Sequence, residues 1–211
     1  MADKRRTRPY IWATWITKLI AGEDRCWYRA WYKAHHKYEK TPDDPDRAAF
    51  FADFTARHDA ITTRRAEELR DANYVLKIED QGAFTLSGKR ADLAAKPDIV
   101  AIGDGEAIVT DAKAGKRRES DHWQVLIYIF GLGMTYLRGF QIRGEVSYQD
   151  DTVPVRALDD FTRDKIVAAI NRVAEDIPPV ASPSVSECRY CDVAACEFRK
   201  RDETGDASRY F

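Results

Sequence analysis

The chain has 211 residues, 44% hydrophobic, 11% aromatic and 33% charged, which suits one domain of the usual size of ~100–200 residues and excludes wholesale disorder. Thirty-four Lys and Arg against 35 Asp and Glu leave a net charge of -1, so a role on nucleic acid must come from local patches rather than from a basic chain. The longest apolar run, 125–134, falls short of the about 20 residues that a membrane span needs.

The basic N-terminus leads into an apolar stretch that Lys18 interrupts, and Glu23-Asp24-Arg25 follows where a cleavage site would be. The expectation is a helix, no export signal and a cytoplasmic chain, whose four cysteines stay reduced. Trp12, Trp15, Ile16, Leu19 and Ile20 recur at helical spacing, and 27–38 resumes it, so the opening segment 1–40 reads as helical. A turn at 41–46 leads into a further helix, with His58 among its apolar positions, that ends near Asn73. Strand-length runs follow at 74–78, 83–86, 98–102 and 107–113. Ser120 caps an apolar helix over 121–138, strands return at 141–148 and 153–155, and a helix covers 159–176. After a proline linker comes a cysteine-bearing segment, 184–211. The whole reads as one domain, 1–211, with its sheet within 74–155.

Asp104-Gly105 sits between two apolar strands and predicts a two-residue hairpin turn. Counting outward from it, Gly103 faces Glu106 and Asp98 faces Asp111, two carboxylates on one face that repel unless a positive charge lies between them. Lys113 returns to that face two residues beyond Asp111. A hard divalent cation, Mg²⁺ or Mn²⁺, would relieve the repulsion. The plainer reading is an Asp111–Lys113 pair with Asp98 as a strand-start residue.

Cys188-Arg-Tyr-Cys191-Asp-Val-Ala-Ala-Cys196 gives C-x2-C-x4-C, with Cys26 far upstream. Structural zinc more often shows two ligands close together at each end, whereas one thiolate plus three suits an iron–sulfur cluster, so the spacing favours one 4Fe–4S cluster over zinc, with free thiols third.

Pro97-Asp98, then Asp111-Ala112-Lys113 with Gly115, resembles the PD-(D/E)xK nuclease motif in its RecB-like form. Gln124 and Tyr128, four apart on one helical face, resemble the Q-x-x-x-Y motif of that group, and His58 resembles its helical histidine. With the four cysteines, the chain is similar to the iron–sulfur members, the AddB type and, nearer in length, the CRISPR-associated Cas-four exonucleases. Trp27 stands where a proline usually follows the first cysteine. The resemblance implies an α/β fold: a restriction-endonuclease-like core with a central mixed sheet, flanking helices and a helical iron–sulfur lobe drawn from 1–40 and 184–211. It implies that Asp98, Asp111, the Ala112 carbonyl and His58 hold Mg²⁺ or Mn²⁺, that Lys113 acts on water and phosphate, and that Gln124 and Tyr128 position the strand. Lys116, Arg117 and Arg118 would meet the phosphates of DNA, with Arg64, Arg65 and Arg70, and Arg199, Lys200 and Arg201 at the tail, as further candidates. The activity implied is a DNA exonuclease on single strands or free ends, with a CRISPR integrase or a helicase as partner and no membrane. The alternatives are an iron–sulfur DNA-binding or assembly subunit with little activity, and a restriction or repair endonuclease.

Overall fold

The computed structural model describes residues 4–40 and 48–200, the side chains of 48–51 excepted. The expected turn at 41–46 and the last part of the 184–211 segment lie outside the described residues.

In chain order the elements are β1 (Lys4–Arg5), β2 (Tyr10–Trp12), α1 (Thr17–Ile20), α2 (Trp27–His35), β3 (His36–Lys37), α3 (Ala48–Asp71), β4 (Val75–Ile78), β5 (Phe84–Ser87), β6 (Asp92–Ala95), β7 (Ile99–Ile102), β8 (Glu106–Ala112), α4 (Glu119–Met134), β9 (Gln141–Ser147), β10 (Thr152–Val155), α5 (Asp160–Val173) and α6 (Val185–Arg189). The central sheet runs β10-β9-β8-β7-β4. It is mixed: β8 and β9 are parallel and joined through α4, while the other pairs are antiparallel. A second sheet runs β2-β6-β5 and a two-stranded ribbon pairs β1 with β3.

Alternation along the strands sorts side chains between two layers. Ile99 and Ala101 of β7 meet Ala66 and Leu69 of α3, while Val100, Ala107 and Val109 join the larger core around α4. Helix α4 is apolar nearly all round because it lies between the two sheets, against β9 and β5. Two glycines allow the approach: a Cβ on Gly131 would lie 2.1 Å from the Phe84 ring, and one on Gly144 would lie 2.4 Å from Val125. Helix α3 ends as expected, with Asn73 at φ 65° in the left-handed conformation that closes a helix. Asp159 caps α5, its side chain accepting from the Thr162 N–H at 2.7 Å.

The opening segment departs from the all-helical expectation. Tyr10–Trp12 is a strand, parallel to Asp92–Ala95, and only a 3-10 turn and the short α1 separate it from α2. The pairing with a distant strand overrides the local period, and β6 itself, Asp-Leu-Ala-Ala, carries little strand propensity and was not expected. Helix α4 starts at Glu119, where Asp121 accepts from the Arg118 N–H at 2.9 Å; Ser120, expected as the cap, instead binds Glu23 through N–H and hydroxyl. In the described part of the tail the only helix is α6, five residues long. No described helix is long and apolar enough to cross a membrane.

Candidate active site and cysteine cavity

The hairpin has the register that its turn dictates. Gly105 is at φ 73°, Gly103 N–H donates to Glu106 O at 2.9 Å, and the ladder pairs Ile102 with Ala107 through to Ile99 with Thr110. Asp98 and Asp111 are the next residues beyond that last pair, one on each side of the hairpin. Asp111 is 1% exposed. Its Oδ2 lies 2.6 Å from Lys113 Nζ, and its Oδ1 accepts from Gln124 Nε2 at 2.7 Å. The same Gln124 amide donates to the Tyr128 hydroxyl at 2.6 Å, while its Oε1 accepts from Lys113 at 3.1 Å. Gln124 and Tyr128 meet the hairpin because α4 crosses the face on which odd-numbered β8 residues stand, and they are four residues apart on that helix.

Asp98 faces a different set of donors. Its Oδ2 accepts from the Ala112 N–H at 2.7 Å and from His58 Nε2 at 3.3 Å, so α3 brings His58 to the end of the sheet rather than sealing it in the apolar layer. The hydrogen bond with Asp98 outweighs burial and raises the His58 pKa. Burial, opposed by Lys113 and reinforced by Asp98, pushes the Asp111 carboxyl up to about 6. Burial disfavours the Lys113 ammonium too, but Asp111 and Asp98 outweigh it and hold that lysine charged.

The donor set suits a hard cation. It consists of carboxylate oxygens gathered against their own repulsion, and Asp111 Oδ2, although in contact with Lys113, is buried with no donor in hydrogen-bonding geometry. Among the described residues, no three His, Cys, Asp or Glu side chains close around a single metal-sized point. Asp121 went unnoticed in the sequence: it is 6% exposed, accepts from the Tyr148 hydroxyl at 3.1 Å and adds negative charge beside Asp111. Its position in the first turn of α4 reads as a capping residue and gave no separate signal.

The basic candidates divide. Lys116 is exposed beside the hairpin, Arg117 pairs with Asp151 and lies 4.6 Å over the Tyr148 ring, and Arg118 is 4.0 Å from Glu23. Arg65 grips Glu145 through two bonds and Arg64 donates to Tyr148 O at 2.6 Å. Those two arginines tie α3 to the end of β9, which corrects the expectation that they face DNA; Arg70 is exposed.

Cys26, Cys188, Cys191 and Cys196 line one small cavity, and all four are free thiols. Burial, first among the causes, raises the Cys26 and Cys196 thiols. Lys200 N–H donates to Cys188 Sγ at 3.2 Å, and Arg199 donates to the carbonyls of Cys188, Cys191 and Val193. Glu187 accepts from the N–H groups of Arg25, Cys26 and Ser184 at 2.8, 2.9 and 2.8 Å, which brings the single upstream cysteine to the other three. Glu187 was not singled out in the sequence, where it reads as an ordinary surface charge; Arg199, expected as a candidate for DNA phosphates, instead binds the carbonyls around the cysteines.

No curated protein matches the sequence. The crystal structure of SSO0001 aligns with a TM-score of 0.51 at 15% identity, over 93% of this chain and 90% of that one; the likeness concerns the fold. The family model of the PD-(D/E)XK nuclease superfamily matches residues 18–196, from α1 through the last cysteine and across both the hairpin and Gln124. The chain belongs to the PD-(D/E)XK nuclease superfamily.

Proposed function

We propose that this chain is a Mg²⁺- or Mn²⁺-dependent DNA exonuclease of the RecB-like, Cas-four type, acting on single strands or free ends. The observation that carries the reading is the buried network of Asp111, Lys113, Gln124 and Tyr128 beside Asp98 and His58. Asp98, Asp111, the Ala112 carbonyl and His58 would hold the cation. When bound, it supplies a Lewis acid for the phosphate and lowers the pKa of a bound water. Lys113, beside the two acids, would orient the attacking water or help to deprotonate it, and would offset the charge that develops on the phosphorane. Gln124 holds Lys113 and Asp111 at fixed separation, so that neither swings away as a phosphate approaches. Lys116 and Arg117 approach the phosphates from the hairpin side.

The cysteine cavity would hold one 4Fe–4S cluster. Four tetrahedral thiolates around one zinc sit about 3.8 Å apart, given Zn–S bonds of ~2.3 Å. The four cysteines line one cavity, their one-plus-three spacing suits a cluster, and the N–H bond to Cys188 is of the kind that stabilises cluster sulfur. A CRISPR integrase or a helicase is the expected kind of partner.

Anaerobically purified protein is tested on end-labelled linear and on closed circular single-stranded DNA, with iron and zinc measured on the same sample. Shortening of the linear strand alone, dependent on Mg²⁺ or Mn²⁺, with about four irons per chain, is the expected result. Cutting of the circle would replace the exonuclease with an endonuclease. Iron-loaded protein that cuts neither would favour the assembly-subunit reading.

A further inference from the structure

Helix α5 presents a stripe that the cleavage centre does not use. Thr162, Ile166, Ala169 and Val173 face the core. The adjoining positions Phe161, Lys165, Ala168 and Arg172 follow one another at spacings of four, three and four, so they run along one side of the helix. Asp160 and Asp164 fall on the next stripe outward and flank it without interrupting it.

The cations here lie over rings, Arg156 also acting on the carboxylate of Asp159. Lys165 Nζ lies 4.6 Å from the Phe161 centroid, the Arg156 guanidinium 5.0 Å from that of Trp123, and the Arg172 guanidinium 4.4 Å from that of Trp27. Phe161 is 65% exposed. Between the stripe and α1 lies an open groove of about 530 Å³, floored by Leu19, Ile20 and Ala168, edged by Trp27, Lys165 and Arg172, and lined by no acid.

We propose that this groove and its stripe bind single-stranded DNA away from the cleavage centre, an inference that rests on DNA being the substrate. Single strands are held where cations track the phosphates and aromatic or apolar surfaces take the bases, and both surfaces alternate here. The stripe from Phe161 to Arg172 is ~16 Å long at the helical rise per residue, room for a short stretch of a single strand. Trp123, whose ring Arg156 and Lys165 overlie, directly precedes Gln124 on α4. An acidic protein surface would match the cations but leave the exposed ring and the apolar floor without partners.

The test is fluorescence anisotropy of the full chain with fluorescein-labelled oligo-dT of four and of twenty nucleotides, across a salt series without Mg²⁺ or Mn²⁺. The double variant Lys165→Glu, Arg172→Glu should bind the 20-mer about tenfold more weakly, with a salt slope shallower by about 1.4, two phosphates at ~0.7 each. Its affinity for the 4-mer, which can occupy the groove or the centre but not both, should fall less than that for the 20-mer. Phe161→Ala, an exposed truncation that keeps every charge, should weaken 20-mer binding at least about fivefold. Wild-type affinity and slope in both variants, from a protein that still cuts DNA, would overturn the inference and leave the nuclease reading intact. The same would follow if the double variant altered only self-association in sedimentation, which would make the groove an interface between copies. A wild-type chain that neither binds nor cuts DNA would overturn both.

Discussion

Gln124 satisfies three partners through one amide: Asp111 and Tyr128 accept from its nitrogen, and Lys113 donates to its oxygen. It is 8% exposed, so truncation leaves buried polar atoms with no water to replace it. Gln124→Ala should therefore lower stability by about 2 kcal/mol, roughly 4–8 °C of melting temperature at this size, and should slow cleavage by freeing Lys113 and Asp111 to move. Thermal melts and single-turnover cleavage check the two effects separately; an unchanged melting temperature would mean that the amide is not tied into the network. The pair Gln124 and Tyr128 could be read from the sequence because both ends of the contact lie on one helix. Asp121 could not, since a carboxylate in the first turn of a helix reads as a capping residue whether or not an active site lies beneath it.

At the scale of elements, the fit of α4 between two sheets sets where Gln124 and Tyr128 stand. Gly144 is the tightest point on the β9 side, where a Cβ would lie 2.4 Å from Val125 and 2.8 Å from Ile129. Gly144→Ala should destabilise by about 2 kcal/mol through overpacking, with no helix propensity gained in return because the site is in a strand. Gly131→Ala would recover up to ~1 kcal/mol of propensity against its clash with Phe84. Chemical denaturation of both variants checks the order; a Gly144→Ala chain as stable as the wild type would show that α4 can shift without cost. The β7–β8 hairpin was legible down to its register because a two-residue Asp-Gly turn fixes it locally. The β2–β6 pairing was not, since two strands of three and four residues far apart in sequence carry less than a persuasive period each, and the tryptophans of the opening segment mimic a helix. The four cysteines were legible as a set, whereas the group that gathers them, Glu187, was not.

Across the whole molecule, the segment between α1 and α2 is fastened at both ends of its reach. Glu23 accepts from Ser120 at the start of α4, and Arg25 and Cys26 donate to Glu187 beside the other three cysteines. Lys33 of α2 and Tyr38 bind Asp192 as well, at 3.0 and 2.8 Å. Burial disfavours the Glu187 carboxylate, but the N–H groups of Ser184, Cys26 and Arg25 more than offset it and hold its pKa below the ordinary value. Its contribution is therefore full above the free value of about 4.3 and is lost as the pH falls through the lower, folded one. Glu187→Gln should cost about 2 kcal/mol near neutrality and flatten the acid side of the stability profile; denaturation between pH 3 and 7 measures both, and parallel profiles for the two chains would deny Glu187 this role. These ties hold the cysteine cavity to the helix that carries Gln124, yet the reaction itself depends on the hairpin. The most direct measurement is the cleavage rate of end-labelled single-stranded DNA in saturating Mn²⁺ by the wild-type chain and by Lys113→Ala, with folding confirmed by circular dichroism. A folded variant slower by a hundredfold or more, on the order of removing one charge-stabilising donor, is the expected result, and a folded Lys113→Ala chain cutting at the wild-type rate would contradict the assignment of the centre.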